Sequence, residues 1–542
     1  MAPVLEIERR MTSANVAAAL RDSARIWHDR PFLCVTEETA RNYGIAAGTL
    51  TFGETADAVD VVAARYRTAG YGTGHRVALM LENRPAMFLH WFALNELGAS
   101  VVPLNADLRP TELAHLIQHS GASLAIGPEA HTQKLRQAAG GCAVVTEDSA
   151  IPPAPSAARN EVPGPAGECA LLYTSGTTGK PKGCVLSNDY FLRCGRWYTE
   201  IGGLCTLRPG EDRLITPLPM THMNAMACST LAMVMTGGCI IPLDRFHPRR
   251  WWQAVRESKA TIIHSLGVMP TMLLGSEPSP GDRAHDLRFG FAPGVDPRYH
   301  AAFEQRFGIP MIDAWAMTET GAGAVVIASD EPRHIGRSCF GRARPFMQYR
   351  LVDQTGTDTP DDTPGELLVR AAGRDPRAGF FTQYLGDPEA TEAAWEGGWF
   401  HTGDVVRRDA DGNLFFVDRW KNVIRRSGEN IAAAEVESVL RQHSLISEVA
   451  CAAVRDDLRG EEVLACIVPR EPVGDMTSAA AEIVAHTLRE LAYFKAPGYV
   501  AFVDALPLTA TNKVQRGELK IWASELPGTA ACIDTRHLKR RQ

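Results

Sequence analysis

Hydroxyls, glycines and lysines are concentrated in one short stretch, residues 174–182 (Thr-Ser-Gly-Thr-Thr-Gly-Lys-Pro-Lys). The apolar runs 169–173 and 184–186 on either side are typical of short buried strands. A loop between two strands can turn its N–H groups, hydroxyls and ammonium groups onto one point, which suits a polyphosphate. A solvated turn is the alternative. A nucleotide P-loop is excluded, because it needs four residues between its glycines and only two separate Gly176 from Gly179.

Three further stretches carry groups that could act on a phosphate or a carboxylic acid. Thr318 and Glu319 place a hydroxyl beside a carboxylate, and these could bind a phosphate oxygen and Mg²⁺, which prefers hard oxygen ligands. A helix start capped by Thr318 is the alternative. Asp404 follows a glycine, as in an ordinary turn. Lys513 lies near the C-terminus, where a lysine is normally a solvated charge.

The string at residues 171–183 resembles the phosphate loop of the adenylate-forming superfamily, which includes acyl-CoA synthetases, peptide-synthetase adenylation domains and luciferases. Further strings resemble the family's motifs and occur in the family's order, at 313–320, 399–404, 418–421, 426–431 and 506–516. The resemblance covers nearly the whole chain. It implies a carboxylic acid–CoA ligase that uses ATP and Mg²⁺, forms an acyl-AMP with release of pyrophosphate, and transfers the acyl group to CoA.

The resemblance also implies a nucleotide site. Trp315 stands where the family has an adenine-stacking tyrosine, Asp404 would bind the ribose hydroxyls, and Glu319 would hold the metal. Catalysis would rest on Lys513, Thr318, Glu319 and His222. The implied ATP-binding residues are Thr174, Ser175, Gly176, Thr177, Thr178, Gly179, Lys180, Lys182, Ala292, Pro293, Asp313, Ala314, Trp315, Thr318, Asp404, Arg419 and Lys513.

A mobile C-terminal domain follows from the same resemblance. Lys421 matches the hinge, and Ser427, Gly428 and Glu429 match the turn that lines the CoA pantetheine tunnel. One small domain cannot present both Lys513 and Gly428 to the same site, so a rotation at Lys421 would exchange them between the half-reactions. Asn512 replaces the family's glycine before the catalytic lysine, and asparagine tolerates the same left-handed backbone.

The acid pocket is implied less sharply. Its predicted residues are Trp197, His222, Met226, Phe291, Trp315 and Gly321. His222 and Met226 would otherwise be ordinary core or loop side chains. Phe291 could reshape the pocket or simply face the core. The acid itself cannot be named, although residues 220–274 look most like carnitine/crotonobetaine-type and short- or medium-chain acid ligases.

The elements that position these groups predict an α/β fold. Strand signals at 77–81, 100–104 and 123–126 alternate with helical patterns, as in a sheet covered on both faces. We expect a large N-terminal domain over residues 1–420, with αβ-layered subdomains and a small β-barrel-like subdomain. A small α+β domain over residues 421–542 would follow.

Composition narrows the class of protein. The 542 residues carry 56 Lys and Arg against 63 Asp and Glu, a net charge of −7 that argues against nucleic-acid binding. The longest apolar run, 227–243, is too short and interrupted for a membrane span, and the scattered 12 cysteines suit a reducing, cytoplasmic location. The basic tail 536–541 is interpreted as a solvated end. Oligomeric state is open, with a homodimer as one option.

Two rival functions remain at this stage. A stand-alone adenylation enzyme could load an acyl or aminoacyl group onto the pantetheine of a carrier protein. No carrier domain follows Lys513, which favours free CoA without excluding a carrier supplied by another chain. A catalytically silent nucleotide-binding protein is the more distant rival, since both Glu319 and Lys513 are present.

Overall fold

The computed structural model describes residues 13–174, 181–265, 268–353, 355–419, 423–427, 429–507, 514 and 516–539. The chain divides into two compact units. The first comprises residues 1–106, 116–172 and 183–418, and the second comprises 107–115, 173–182 and 419–542. The predicted boundary between 420 and 421 stays a prediction, because residues 420–422 lie outside the described part.

A mostly parallel sheet in the first unit carries one set of site residues. Among the described residues it has seven strands, in the spatial order Met311–Ile312, Phe289–Phe291, Ile262–His264, Arg213–Thr216, Cys239–Pro242, Pro31–Val35 and Gly48–Thr51. The last strand pairs antiparallel with its neighbour, and the other neighbouring strands pair in parallel. Parallel strands end at a shared edge, where α/β folds place their binding sites.

A second seven-stranded sheet includes the strands on either side of the glycine–threonine loop. Its order in the described residues is Gln383–Tyr384, Lys182–Ser187, Glu168–Thr174, Ser100–Pro103, Arg76–Leu79, Leu124–Gly127 and Ala143–Thr146. The strands predicted at 77–81, 100–104 and 123–126 are confirmed within one or two residues at each end. The strand Gln383–Tyr384 pairs antiparallel with Lys182–Ser187 and places Tyr384 opposite Cys184.

Helices cover these sheets, as the alternation of signals predicts. A capping box formed by Thr51 and Glu54 starts the helix Phe52–Thr68. No helix in the described part of the chain is both long and apolar enough to cross a bilayer. The other α-helices before residue 419 are Val16–Ile26, Glu37–Tyr43, Pro85–Glu96, Pro110–Ser120, Glu129–Ala138, Asn188–Glu200, Thr230–Thr236, Trp251–Glu257, Val268–Leu274, Pro297–Phe307 and Pro388–Ala393.

A smaller sheet occupies the end of the first unit, where the sequence predicts a β subdomain. Its five described strands follow the order Cys339–Gly341, Leu414–Arg419, Phe400–Arg408, Gly365–Ala371 and Met347–Val352. Asp404 lies in the strand Phe400–Arg408. A separate two-stranded ribbon, Ala314–Trp315 with Val326–Ile327, carries Trp315. The predicted site residues Phe291, Asp404 and Trp315 are therefore carried by two different sheets and the ribbon.

The second unit is α+β, as predicted. Its described strands are Val423–Arg426, Glu429–Ala432, Ile446–Asp456, Gly460–Pro469, Tyr499–Phe502 and Cys532–Asp534, with helices Ala433–Leu440, Met476–Glu490 and Arg516–Glu525. The interpretation of the basic tail as solvated is wrong for its described part. Arg536 forms an ion pair of 3.1 Å with Asp456, and the side chain of Lys539 is fully buried beside Glu462. The tail is therefore packed into the second unit.

Candidate active site

The turn at Thr318 and Glu319 is fixed through its main chain. The Tyr190 hydroxyl donates a 2.9 Å hydrogen bond to the carbonyl oxygen of Thr318. The N–H of Phe381 donates to the carbonyl oxygen of Glu319 at 2.8 Å. Residues 318–323 form turns rather than a helix, so the helix-start alternative for Thr318 is wrong. Two separate elements thus hold the peptide units that carry the predicted phosphate-binding hydroxyl and metal-binding carboxylate.

The Glu319 carboxylate is buried and is held through its side chain. Its exposed fraction is 7%, and Oε1 accepts a 3.0 Å hydrogen bond from the hydroxyl of Tyr384. The described residues contain no group of three or more His, Cys, Asp or Glu side chains that could hold a metal. A single carboxylate suits Mg²⁺, which commonly takes its remaining ligands from substrate phosphates and water. The donor set at Glu319 therefore fits a magnesium ion that arrives with a nucleotide.

Trp315 and Asp404, two predicted nucleotide-binding residues, are in direct contact. The indole Nε1 of Trp315 donates to Oδ2 of Asp404 at 2.8 Å, although 89 residues separate them in the chain. Both are buried, with exposed fractions of 6% and 1%. The N–H of Asp404 donates to Oγ1 of Thr402 at 3.0 Å. These bonds fix one oxygen of a carboxylate at the position where the resemblance places a ribose-binding group.

Asp313 connects two further predicted segments. Its Oδ1 accepts hydrogen bonds from the N–H groups of Gly294 at 2.8 Å and Ala314 at 2.9 Å. The N–H of Ala292 donates to the carbonyl oxygen of Ile312 at 2.9 Å. The segments 292–294 and 312–314 therefore lie side by side. Because Asp313 is buried and its carboxylate binds backbone donors, its observed contribution is to shape this loop.

A buried histidine, His264, organises the polar contacts near the predicted acid pocket. Its Nε2 lies 2.6 Å from the Tyr198 hydroxyl, and its Nδ1 lies 2.9 Å from Oδ1 of Asn224 and 2.7 Å from Oγ of Ser229. Since an amide oxygen only accepts, these partners assign the ring proton to Nδ1. Burial lowers the pKa of His264 to about 3, so the ring is neutral at physiological pH.

The same histidine contacts an unusual helical turn. Residues Asn224–Ser229 form a π-helix, which continues into the helix Thr230–Thr236. The Ser229 hydroxyl donates to the carbonyl oxygen of Asn224 at 3.0 Å, and the Thr230 hydroxyl donates to that of Ala225 at 2.8 Å. π-Turns inside helices are frequent at functional sites. Two hydroxyls and one imidazole thus stabilise the turn that contains Met226.

The predicted acid-pocket residues lie on several separate elements of the first unit. Phe291 stacks on the His264 ring, with centroids 4.7 Å apart, and lies edge-on to Trp197 at 6.5 Å. The N–H of Met226 donates to the carbonyl oxygen of His222 at 3.0 Å. Gly321 has a φ of +49°, and a Cβ there would lie 2.3 Å from the ring of Tyr190. Both the positive φ and the close approach of the Tyr190 ring therefore require glycine at position 321.

Several predictions fall outside the described residues. They concern Ser175, Gly176, Thr177, Thr178, Gly179, Lys180, Lys421, Gly428 and Lys513. The side chain of Arg419 is also outside the description. Nearby, the strands Val423–Arg426 and Glu429–Ala432 pair antiparallel with Arg426 opposite Glu429. Ser427 has a φ of +49°, which agrees with a tight turn at the predicted CoA-binding segment.

Sequence reasoning missed two residues that contact the predicted site. Tyr384 lies in a two-residue strand, too short for a period-2 pattern to mark. A weak signal was available, because an Asp-Pro pair follows it and Asp387 caps the next helix. His264 ends an apolar run that predicts a buried strand. A histidine there is normally a satisfied core residue, and its partners Tyr198 and Ser229 lie 66 and 35 residues away.

Comparisons with protein families match both units. Residues 20–374 match the AMP-binding enzyme family, and residues 435–513 match the AMP-binding enzyme C-terminal domain. The sulfoacetate–CoA ligase of Cupriavidus necator is 31% identical over 525 residues, covering 93% of this chain and 97% of that protein. A crotonobetaine/carnitine–CoA ligase of Escherichia coli is 30% identical, covering 84% of this chain and 90% of that protein.

Solved structures share the fold. The o-succinylbenzoate CoA synthetase of Bacillus subtilis, bound with a product analogue, superimposes with a TM-score of 0.80 at 24% identity, covering 94% of this chain and 98% of that one. A malonyl-CoA ligase with methylmalonyl-CoA and AMP bound gives a TM-score of 0.73 at 27% identity, covering 88% of this chain and 97% of that one. These likenesses confirm the predicted α/β fold class with a small C-terminal domain.

Proposed function

This chain belongs to the AMP-binding enzyme family and is an AMP-forming acid–CoA ligase, and we propose that Trp315, Glu319 and Asp404 belong to its adenylate-forming site. One observation carries the assignment of the nucleotide: the 2.8 Å hydrogen bond from the Trp315 indole to the buried Asp404 carboxylate. A carboxylate held through one oxygen can direct its other lone pairs at the two hydroxyls of a ribose. The indole ring beside it would stack on the adenine.

In the first half-reaction, a carboxylate oxygen of the acid attacks the α-phosphorus of ATP, and pyrophosphate leaves with the electron pair of the broken P–O bond. Negative charge then increases on the phosphate oxygens. We assign Thr318 to the α-phosphate and the loop 174–182 to the β- and γ-phosphates, where fixed donors and ammonium groups would stabilise that charge. The catalytic lysine would be Lys513, on the α-phosphate and the acyl oxygen.

Magnesium would be held at this site by Glu319. When bound, Mg²⁺ supplies positive charge that offsets the charge on the phosphates. The chain's own part is to present one buried carboxylate whose Oε1 is already engaged by Tyr384.

In the second half-reaction, the CoA thiolate attacks the acyl carbon and AMP leaves. We propose that the turn Ser427, Gly428 and Glu429 lines the path of the pantetheine and that Lys421 is the hinge for the rotation between the half-reactions. The backbone at Ser427, with its φ of +49°, supports a tight turn there. Free CoA is preferred to a carrier protein as acceptor, since the relatives above are CoA ligases. ATP and CoA also favour the cytoplasm as location.

The acid is proposed to be small. The relatives above are named as ligases of sulfoacetate and of crotonobetaine or carnitine, which are short, polar acids. The aromatic pair Trp197 and Phe291 would narrow the predicted pocket. Met226, on the π-helix, would complete one wall. His264, whose ring stacks on Phe291, is neutral because burial lowers its pKa to about 3, and it therefore adds no charge next to the pocket.

The proposal is tested in two steps. Pyrophosphate exchange into ATP, measured with a panel that includes sulfoacetate, crotonobetaine, carnitine, malonate and medium-chain acids, identifies the acid that is adenylated. Addition of CoA, with the thioester detected by mass, separates a CoA ligase from a carrier-loading enzyme. Lys513→Ala should nearly abolish exchange yet spare thioester formation from supplied acyl-AMP. Equal loss in both half-reactions would contradict the role given to Lys513.

A further inference from the structure

Tyr384 contacts the carboxylate of Glu319 and has no role in the family motifs from which the site was predicted. Its hydroxyl lies 3.0 Å from Oε1 of Glu319, and the two side chains are 65 residues apart in the chain. The exposed fractions of Tyr384 and Glu319 are 9% and 7%. A phenol O–H donates and a carboxylate accepts, so the direction of this bond is fixed.

The surroundings of Tyr384 hold its hydroxyl in one place. Its N–H donates to Oγ1 of Thr391 at 3.0 Å, and its ring packs against that of Phe381 with centroids 4.7 Å apart. Its strand pairs in register with Cys184 and Val185. A side chain fixed by sheet pairing, ring packing and a backbone bond can orient the group that it contacts.

The segment 381–384 holds Glu319 at two points. The N–H of Phe381 donates to the Glu319 carbonyl oxygen at 2.8 Å, and the Tyr384 hydroxyl donates to its carboxylate. A glutamate side chain has three rotatable bonds, and ordering such a side chain costs conformational entropy. With the main chain and Oε1 both fixed, the carboxylate is already ordered before a ligand arrives.

We propose that Tyr384 is a positioning residue that orients the Glu319 carboxylate for the Mg²⁺ that accompanies ATP. This inference rests on the proposed metal role of Glu319. Partners of metal-binding carboxylates act in this way, and their loss typically weakens metal affinity by about 10–100-fold. The strand Lys182–Ser187, opposite Tyr384, directly follows the predicted phosphate loop in sequence. The strand that pairs with Tyr384 thus begins at Lys182, the last residue of the loop assigned to the β- and γ-phosphates.

The test is Tyr384→Phe in the full-length protein, which removes one hydroxyl and keeps the ring. Binding of a nonhydrolysable ATP analogue is measured by calorimetry over a range of Mg²⁺ concentrations and again with EDTA. The Mg²⁺ concentration that gives half-maximal nucleotide binding should rise about tenfold. Binding with EDTA and the KM of the acid should change less than about twofold, because the bond acts only on the metal-binding carboxylate.

A matched control separates positioning from loss of a buried hydroxyl. Tyr66 is also buried, and its hydroxyl lies 2.6 Å from Nδ1 of His90, which is not among the predicted site residues. Tyr66→Phe should lower the unfolding midpoint in urea without shifting the Mg²⁺ dependence. If Tyr384→Phe weakens nucleotide binding equally with Mg²⁺ and with EDTA, or changes only the unfolding midpoint, Tyr384 is a structural residue and the inference is overturned.

A second variant distinguishes this inference from the proposed function. Glu319→Gln should itself raise the Mg²⁺ requirement, and an unchanged requirement would remove the metal role of Glu319. In the Glu319→Gln background, Tyr384→Phe should add less than about a twofold further shift, since it acts through the carboxylate that is already absent. A full tenfold shift in that background would overturn the positioning role while leaving the metal assignment intact.

Discussion

The indole N–H of Trp315 donates a 2.8 Å hydrogen bond to one oxygen of Asp404, and both side chains are buried. A tyrosine at position 315 could also stack on adenine, but its ring has no N–H that could donate to Asp404. In this chain, the aromatic residue assigned to the base is therefore joined to the carboxylate assigned to the ribose. A change at Trp315 should affect recognition of the sugar as well as of the base.

Trp315→Phe tests this coupling, because it keeps an aromatic face and removes the N–H. ATP binding should weaken roughly tenfold, since a hydrogen bond to a charged group contributes about 1.5–3 kcal/mol. Binding of 3′-deoxy-ATP should weaken less, because the misoriented Asp404 has already lost part of its ribose contact. Dissociation constants from calorimetry for the two nucleotides give the comparison.

The control for Trp315→Phe is Trp251→Phe. Trp251 is buried, and its indole N–H has no hydrogen-bond partner among the described residues. Trp251→Phe should leave the dissociation constants of ATP and 3′-deoxy-ATP within about twofold of the parent values, because no polar contact to the site is lost. An equal weakening of ATP and 3′-deoxy-ATP by Trp315→Phe would show that the indole acts through the base alone.

Much of this site could be predicted from the order of its motifs, and some of it could not. Thr318, Glu319, Trp315 and Asp404 carry recognisable strings, and the structure brings Trp315 to Asp404. Tyr384 carries no such string, because its role depends on which strand pairs with Lys182–Ser187. Strand pairing across the chain is set by tertiary structure, which local patterns do not encode. The roles of Lys513 and the loop 175–180 stay predictions, since these residues lie outside the described part.

The KM of the acid should depend on the hydrogen bonds that hold the π-helix Asn224–Ser229. Ser229 and Thr230 each donate to the carbonyl five residues earlier, but only Ser229 also reaches His264. Ser229→Ala should raise the KM of the acid roughly threefold to tenfold and should leave the KM of ATP almost unchanged. The reason is that a small displacement of the π-turn moves Met226, which we assign to one wall of the acid pocket. Steady-state kinetics with each substrate varied in turn measures both constants.

Thr230→Val is the matched control for that prediction. It removes the same kind of hydroxyl bond and leaves the His264 contact in place. Both variants should lose about 1–3 kcal/mol of unfolding free energy, since each leaves a carbonyl with fewer donors. If Thr230→Val raises the KM of the acid as much as Ser229→Ala does, the effect belongs to the helix in general and not to the His264 network.

Stability should fall in mild acid because two histidines are buried in the neutral form. Burial lowers the pKa of His264 to about 3, and burial with a contribution from Arg65 lowers that of His90 to about 3. In the unfolded chain, each of these histidines binds a proton near pH 6.5. The contribution of each neutral histidine to the unfolding free energy is therefore complete above about pH 6.5 and decreases as pH falls towards 3. Each histidine should cost about 1 kcal/mol between about pH 7.5 and about pH 5.5.

Urea unfolding at the two pH values measures this loss. His264→Asn should be less stable at neutral pH but should lose about 1 kcal/mol less than the parent on acidification. His28 is exposed, and Asp29 raises its pKa, so His28→Asn should not reduce the acid sensitivity. An unchanged pH dependence in His264→Asn would mean that the imidazole is not kept neutral in the folded protein.

The C-terminal tail should contribute to the stability of the second unit through one buried carboxylate. Glu462 has no exposed surface and accepts from Arg426 at 2.8 Å and from Lys539, whose side chain is also fully buried. Glu462→Gln leaves the buried Arg426 guanidinium without its counter-charge, which should cost about 3–5 kcal/mol. Burial lowers the pKa of Lys539 to about 7, so this amine can lose its proton instead. Lys539→Met leaves the Arg426–Glu462 pair and should cost less, about 1–3 kcal/mol. Hydrogen exchange in the paired strands Ile446–Asp456 and Gly460–Pro469 reports on the stability of this unit directly. A larger loss of stability in Lys539→Met than in Glu462→Gln would exclude Glu462 as the centre of the cluster.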